Sequence, residues 1–435
     1  MSSINLQQLF YYLYYAPLVG ALVCLLLTYK NIAFLTSVIC FSSALLILLC
    51  LLPAFFASNH IEILDKINYL GNLNALNILI LLIITAIYLV ILLFYRKTLI
   101  KNLAEKQHPY FYALILVNFF NIIGIITTHH LFKLYLFIEV YSLGCLAIVS
   151  FDKSKQIRCF NFHNYCFNVA SSVLLLFAFL LMFVIFDDVN IVNYWQNLHF
   201  SHKPWLGNLF FLIFLVVIIM KFLPFWQYFY KIKTKSWLSK IFLAEGVFVK
   251  SLLAIFLSHK IINNVFGFNL ENYWFGQAFI ILGSLLIFYS VFCITKTQHF
   301  KLISLLLSLA TVGFLIILLG LNQYHLNYNS FVFWLSHLFF INFLSFLLSD
   351  LLHTKHSHTK IWQLSQIKNN LFLKTIFFFL IIQLTFLPIT FHFLASWFLL
   401  TENMQTQFLW LLVLSLAVYS LAQIVFANKL LQKII

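Results

Sequence analysis

Four formally charged residues sit well inside long apolar runs of this chain, away from their ends: Glu139, Lys221, Glu245 and Lys250. If those runs cross a bilayer, each charge costs at least about 2.5–3.5 kcal/mol on insertion scales, and such residues are functional candidates by default. A carboxylate with one lysine makes a buried ion pair that ties two helices together. Glu139 with both Lys221 and Lys250 leaves one amine over, and a carboxylate followed by two amines is the chemistry of a proton relay. Glu245 lies more than a turn before Lys250 in the same run and reads as a modulating charge. Pro224 follows Lys221 by three residues. Proline withholds a backbone donor and frees a carbonyl, so the helix is expected to break beside the lysine. Broken helices lined by polar groups near the midplane are where transporters bind ions.

Phe222-Leu223-Pro224 recurs as Phe386-Leu387-Pro388, and Thr385 stands where Lys221 stands in the first copy. The later part of the chain offers hydroxyls and imidazoles instead of charges. Thr311 follows Ser304 and Ser308 in one run, and His337 lies in the next. His392 and Ser396 are four apart, hence on one helix face. Thr311, His337, His392 and Ser396 are the candidates for a central axis and exit, with helix breaks at Pro224 and Pro388.

The elements that must carry these residues follow from composition. Of 435 residues, 26 are Lys or Arg and 11 are Asp or Glu, so 9% are charged, while 63% are hydrophobic, including 53 Phe and 21 Tyr. Soluble domains carry roughly 25% charged residues. The chain is an all-α polytopic membrane protein, and its continuous apolar runs exclude an alternating β-barrel. Thirteen runs are long enough to span: 9–28, 32–57, 73–95, 110–128, 131–150, 163–187, 207–231, 238–258, 272–295, 301–321, 329–351, 371–400 and 407–428. Twenty of the 26 basic residues follow odd-numbered spans, and only Lys66, Lys133, Lys203 and Lys260 follow even ones. That ladder predicts the N-terminus outside and the C-terminus inside. The first run lacks a basic flank and a cleavage site, so it reads as a retained helix. Glu139, Lys221 and Lys250 fall ninth, fifteenth and thirteenth in their spans, all near the midplane.

The two Phe-Leu-Pro copies lie five spans apart and cross in opposite directions, as in an inverted repeat. The expected organisation is 1–109 with spans 1–3, 110–258 with spans 4–8 and 259–435 with spans 9–13. The +15 balance belongs to inner loops and implies no nucleic-acid partner. Seven cysteines without a C-x-x-C motif suggest neither disulfides nor zinc, so no metal site is expected. A b-type cytochrome would need histidine pairs within helices, whereas His163, His337 and His392 lie singly on different ones. A membrane transferase would show a catalytic loop cluster. Asp187-Asp188 and His353, His356 and His358 read as a solvated outer loop and a basic inner loop. A stand-alone solute transporter stays open as an alternative.

These residues resemble the antiporter-like, proton-conducting membrane subunits of respiratory complex I and their relatives in Mrp-type sodium/proton antiporters. The resemblance rests on Leu134–Leu143 (LYLFIEVYSL) around Glu139, Met220–Trp226 (MKFLPFW) around Lys221, and Ala244–Leu252 (AEGVFVKSL) around Lys250. Separations of 82 from Glu139 to Lys221 and 29 from Lys221 to Lys250 suit that family. Asn164–Phe186, with Ala170-Ser171-Ser172, is similar to its sixth span. Lys301–Leu321, with Gly313-Phe314 and Gly320-Leu321, is similar to its tenth, and Leu387–Trp397 to its broken twelfth. Three departures stand out. The family's histidine after the span 7 lysine is missing, Thr311 replaces a span 10 histidine, and Ser396 stands where members carry Lys or Glu. The terminal protonation site is thus lost or moved to His392. The length is nearest the subunit N type.

The resemblance implies a subunit without a cofactor, performing no redox chemistry of its own. It implies other membrane subunits and the lipid bilayer as partners, with H⁺ or also Na⁺ as the ion. Quinone would bind only elsewhere in the assembly. The implied location is a bacterial inner membrane, with the mitochondrial inner membrane as alternative. A Mrp-type antiporter subunit and a diverged non-pumping paralogue are the alternative functions.

Overall fold

The computed structural model describes residues 3–27, 29–57, 75–151, 155–186, 204–221, 249–261, 275–296, 300–321, 334, 337, 382, 390–402 and 409–431. All regular structure in them is helical, apart from one isolated bridge residue at His130. The chain forms two compact units, Met1–Val265 and Phe266–Ile435. Among the described residues, six helical segments are long and apolar enough to cross a membrane: Gln8–Leu27, Lys30–Leu51, Glu105–Thr127, Leu131–Ser150, Phe162–Val184 and Gln277–Lys296. Outward-facing side chains such as Leu26 and Val184 are nearly four-fifths exposed. In water such faces would drive aggregation; in lipid they are solvated.

The first unit contains α1 (Ser3–Leu27), α2 (Lys30–Ala57), α3 (Ala75–Asn102), α4 (His108–Thr127), α5 (Leu131–Ser150), α6 (Lys155–Phe186), α7 (Pro204–Lys221) and α8 (Lys250–Ile261). Its centre is α4, most of whose residues are buried and apolar. A helix apolar all round has no face that prefers water, so it becomes the core. Helices α1, α2, α3, α5 and α8 pack against it. Phe41 of α2, Tyr88 of α3 and Phe119 of α4 fill one layer, with Phe41 4.9 Å from Phe119 and 5.2 Å from Tyr88. Helix α5 packs next on α6, and α6 on α7. That order brings α5, α6 and α7 side by side.

Several helices outrun their apolar spans. Helix α3 continues to Asn102 and α6 begins at Lys155. Lys, Arg and Gln are good helix formers, so a helix continues into water without apolar surface. At one such end Lys30 Nζ donates to Glu105 Oε1 at 2.7 Å, joining the start of α2 to the turn after α3. The charge ladder expects both residues on the inner side.

The second unit contains α9 (Phe275–Lys296), α10 (Phe300–Leu321), α11 (Phe391–Glu402) and α12 (Leu409–Leu431). Helix α9 packs on α10 and α12. The α9–α10 crossing is close because it is built on Gly283 and Gly313. A Cβ on Gly283 would lie 2.5 Å from the Gly313 carbonyl oxygen. Small residues let membrane helices gain packing where no hydrophobic effect separates them from lipid.

Candidate functional site

Glu139 projects from the middle of α5 and Lys221 ends the described part of α7. Lys221 Nζ donates to Glu139 Oε1, forming a buried ion pair. The lysine side chain is 1% exposed and the carboxylate 16%. Breaking such a pair by removing one partner leaves an uncompensated charge and costs about 3–5 kcal/mol.

Ser172 of α6 completes the cluster. Its Oγ lies 2.6 Å from Glu139 Oε2 and accepts from Lys221 Nζ at 2.9 Å. The same hydroxyl lies 2.7 Å from the Asn168 carbonyl. A hydroxyl owns one proton, so the carboxylate and the carbonyl compete for it. Proton shuffling between carboxylate and amine therefore has a hydroxyl bridge at hand. A turn away, Asn168 Nδ2 donates to Ser142 Oγ at 3.1 Å, and Ser142 Oγ donates to the Glu139 carbonyl at 2.8 Å. These bonds fix α6 against α5 at the level of the carboxylate. Ser172 was named in the family resemblance but not as a site residue. Its signal is the spacing of Asn164, Asn168 and Ser172, four apart along an otherwise apolar helix.

Lys250 begins α8 and is buried. Among the described residues it has no ion-pair partner. Glu245, Pro224 and Pro388 lie outside the described residues.

Lys260 departs from its expected place in an outer loop. It lies within α8, 4% exposed, and its Nζ donates to the carbonyls of Ile126 at 3.1 Å, Ile125 at 3.3 Å and Thr128. The last turn of a helix leaves carbonyls without intrahelical donors, and an ammonium meets both that need and the negative end of the dipole. The even-loop position gave no hint of this, because the carbonyl acceptors belong to α4, 132 to 135 residues away in sequence. His129, in the α4–α5 turn, is pushed down to about 3 by burial and by the Lys260 charge.

In the second unit, Thr311 is buried on α10 and Ser396 on α11, where Ser396 Oγ donates to the Phe393 carbonyl at 2.8 Å. His392 is the second residue of α11. His337 is fully buried; its Nε2 lies 3.3 Å from Tyr419 Oη and 3.3 Å from Gln423 Nε2. Trp334 stacks on Phe314 at 4.3 Å beside it. Tyr419 and Gln423 were not anticipated. Gln423, a lone amide one turn after Tyr419 in the last apolar run, was the available signal.

The fold is similar to subunits of known membrane assemblies. Against the Mrp complex from Dietzia sp. DQ12-45-1b the TM-score is 0.75 at 16% identity, covering 100% of this chain and 80% of that one. Against an archaeal respiratory complex, the membrane-bound sulfane sulfur reductase, it is 0.73 at 14% identity, covering 97% and 87%. Against respiratory complex I from Thermus thermophilus with bound aureothin it is 0.64 at 13% identity, covering 97% and 89%. No curated protein gives a significant sequence match. The transmembrane family model of the NADH:quinone oxidoreductase and Mrp antiporter subunits matches residues 128–421. That stretch is well over half of the chain and includes Glu139, Ser172, Lys221 and Lys250, so this protein belongs to the NADH:quinone oxidoreductase/Mrp antiporter transmembrane family.

Proposed function

We propose that the chain moves protons across a bacterial inner membrane as one antiporter-like subunit of a complex I type assembly. The observation that carries this reading is the buried Glu139–Ser172–Lys221 cluster, with a second buried lysine, Lys250, in the same unit. In the relay, Glu139 holds Lys221 charged while the ion pair is closed. Ser172 bridges both groups and lets the pair exchange hydrogen bonds as it opens. Lys221 then passes its proton towards Lys250, which accepts it only while its own amine is neutral. Alternating charge between the two buried amines moves the proton along the path without any cofactor in this chain.

The proposed frame has thirteen spans, N-terminus outside, with inverted repeats over spans 4–8 and 9–13 broken at Pro224 and Pro388. Glu245 modulates Lys250 from the inner side. Thr311, His337, His392 and Ser396 extend a polar path into the second repeat, and Tyr419 and Gln423 orient His337. A Mrp-type Na⁺/H⁺ antiporter subunit is the second reading, favoured by the Mrp complex matching along all of this chain. The subunits that co-purify with the chain separate the two.

The relay is tested by Lys250→Ala in membrane vesicles that contain the full assembly. Proton flux is expected to fall about a hundredfold, the scale of a lost acid–base group. Native flux in that variant would remove the relay.

A further inference from the structure

The buried lysines of the described residues are Lys221, Lys250 and Lys260, and all three lie in the first unit. The relay accounts for two. The third sits at the opposite end of α8 from Lys250, ten residues on, about 15 Å along the helix axis. By the charge ladder, that end faces outside. Where family resemblance expects a charge in the second repeat, Ser396 is a buried hydroxyl bonded to its own helix. The chain thus lacks a charged terminal site where one is expected and buries an extra amine at the outer end of its first repeat.

We infer that Lys260 is a proton-release site of the first repeat, giving the relay an outlet on the outer side that does not pass through the second repeat. This rests on the relay reading of Glu139, Lys221 and Lys250. The geometry suits a group that changes charge. Lys260 has no carboxylate partner among the described residues; three carbonyls of the α4 terminus take its three ammonium protons. A neutral amine keeps two of those bonds and frees its lone pair, and the longest, to Ile125 at 3.3 Å, is the one most readily given up. The step balances simply. An N–H bond of the Lys250 ammonium breaks, water relays that proton and is itself restored, and the Lys260 lone pair takes it so that a third N–H forms. An N–H bond then breaks towards outer water, and no electron is transferred.

Among the described residues, the titratable groups of the α4–α5 turn at this corner are His129 and His130, and Lys250 lies at the other end of α8. Low basicity keeps His129 neutral at ordinary pH, so it does not trap the departing proton. A lysine serving only as a helix cap would give the same hydrogen bonds, and arginine separates the two roles. Arginine keeps a permanent charge and several donors for the carbonyls, but it does not give up its proton.

The experiment compares Lys260→Arg, Lys260→Gln and Lys221→Met in vesicles carrying the full assembly, with abundance and thermal unfolding measured alongside. The expected result is a proton flux lowered about tenfold or more in both Lys260 variants, with whichever variant assembles at native abundance deciding. Native flux in an assembled Lys260 variant, with flux lost in Lys221→Met, overturns the outlet alone. Native flux in Lys221→Met overturns the relay on which it rests.

Discussion

Ser172 Oγ stands between a carboxylate and an ammonium, 2.6 Å from one and 2.9 Å from the other. Without it, Glu139 keeps Lys221 but loses the bridge through which the pair rearranges. A hydrogen bond to a charged group is worth about 1.5–3 kcal/mol, so Ser172→Ala should lower proton flux about tenfold, with most restored in Ser172→Thr. Flux in Ser172→Ala equal to the native value would make the serine a mere packing residue. Glu139, Lys221 and Lys250 stand out in the sequence as candidates because charge inside an apolar run is expensive and hence conspicuous, and the structure pairs the first two. Ser172 was quoted from the sequence but not assigned to the site, since one hydroxyl costs little to bury and serines abound in membrane helices. Gln423 and Tyr419 escaped for the same reason. Lys260 was seen but misplaced. A lysine just past an apolar run reads as a solvated loop residue unless the acceptors folded around it are known.

Helices were legible to the extent that lipid dictates them. Apolar length gave α4 and α5 to within a few residues, because their ends coincide with the ends of the runs. It underestimated α3 and α6, whose polar ends stay helical outside the hydrocarbon. Which helix forms the core was not legible, since α1, α2 and α4 are all apolar and only packing separates the buried one from the lipid-facing ones. Close crossings depend on backbone contact. A Cβ on Gly283 meets the backbone carbonyl of Gly313, which cannot turn aside, whereas one on Gly20 meets the side chain of Cys40, which can rotate. Gly283→Ala should therefore destabilise the protein by about 1–3 kcal/mol, the usual cost of overpacking. Gly20→Ala should cost clearly less. Thermal unfolding in detergent checks this, and equal shifts in the two variants would refute the account of the α9–α10 crossing.

At the scale of the whole molecule, buried charge is unevenly shared. Every buried lysine among the described residues belongs to the first unit. The buried polar groups of the second include a histidine, a glutamine and several hydroxyls. The family and its multi-subunit context were legible from three short stretches and their separations, because a midplane Glu/Lys/Lys series is a rare pattern. The assembly itself was not, since the fold of this chain is similar to chains of both a Mrp complex and respiratory complex I. The central claim is that Lys221 carries the proton while Glu139 holds it in place. Lys221→Met keeps the side-chain volume and removes the amine. Proton flux measured in vesicles that contain the intact assembly should then fall about a hundredfold at native abundance; flux at the native rate would contradict the account.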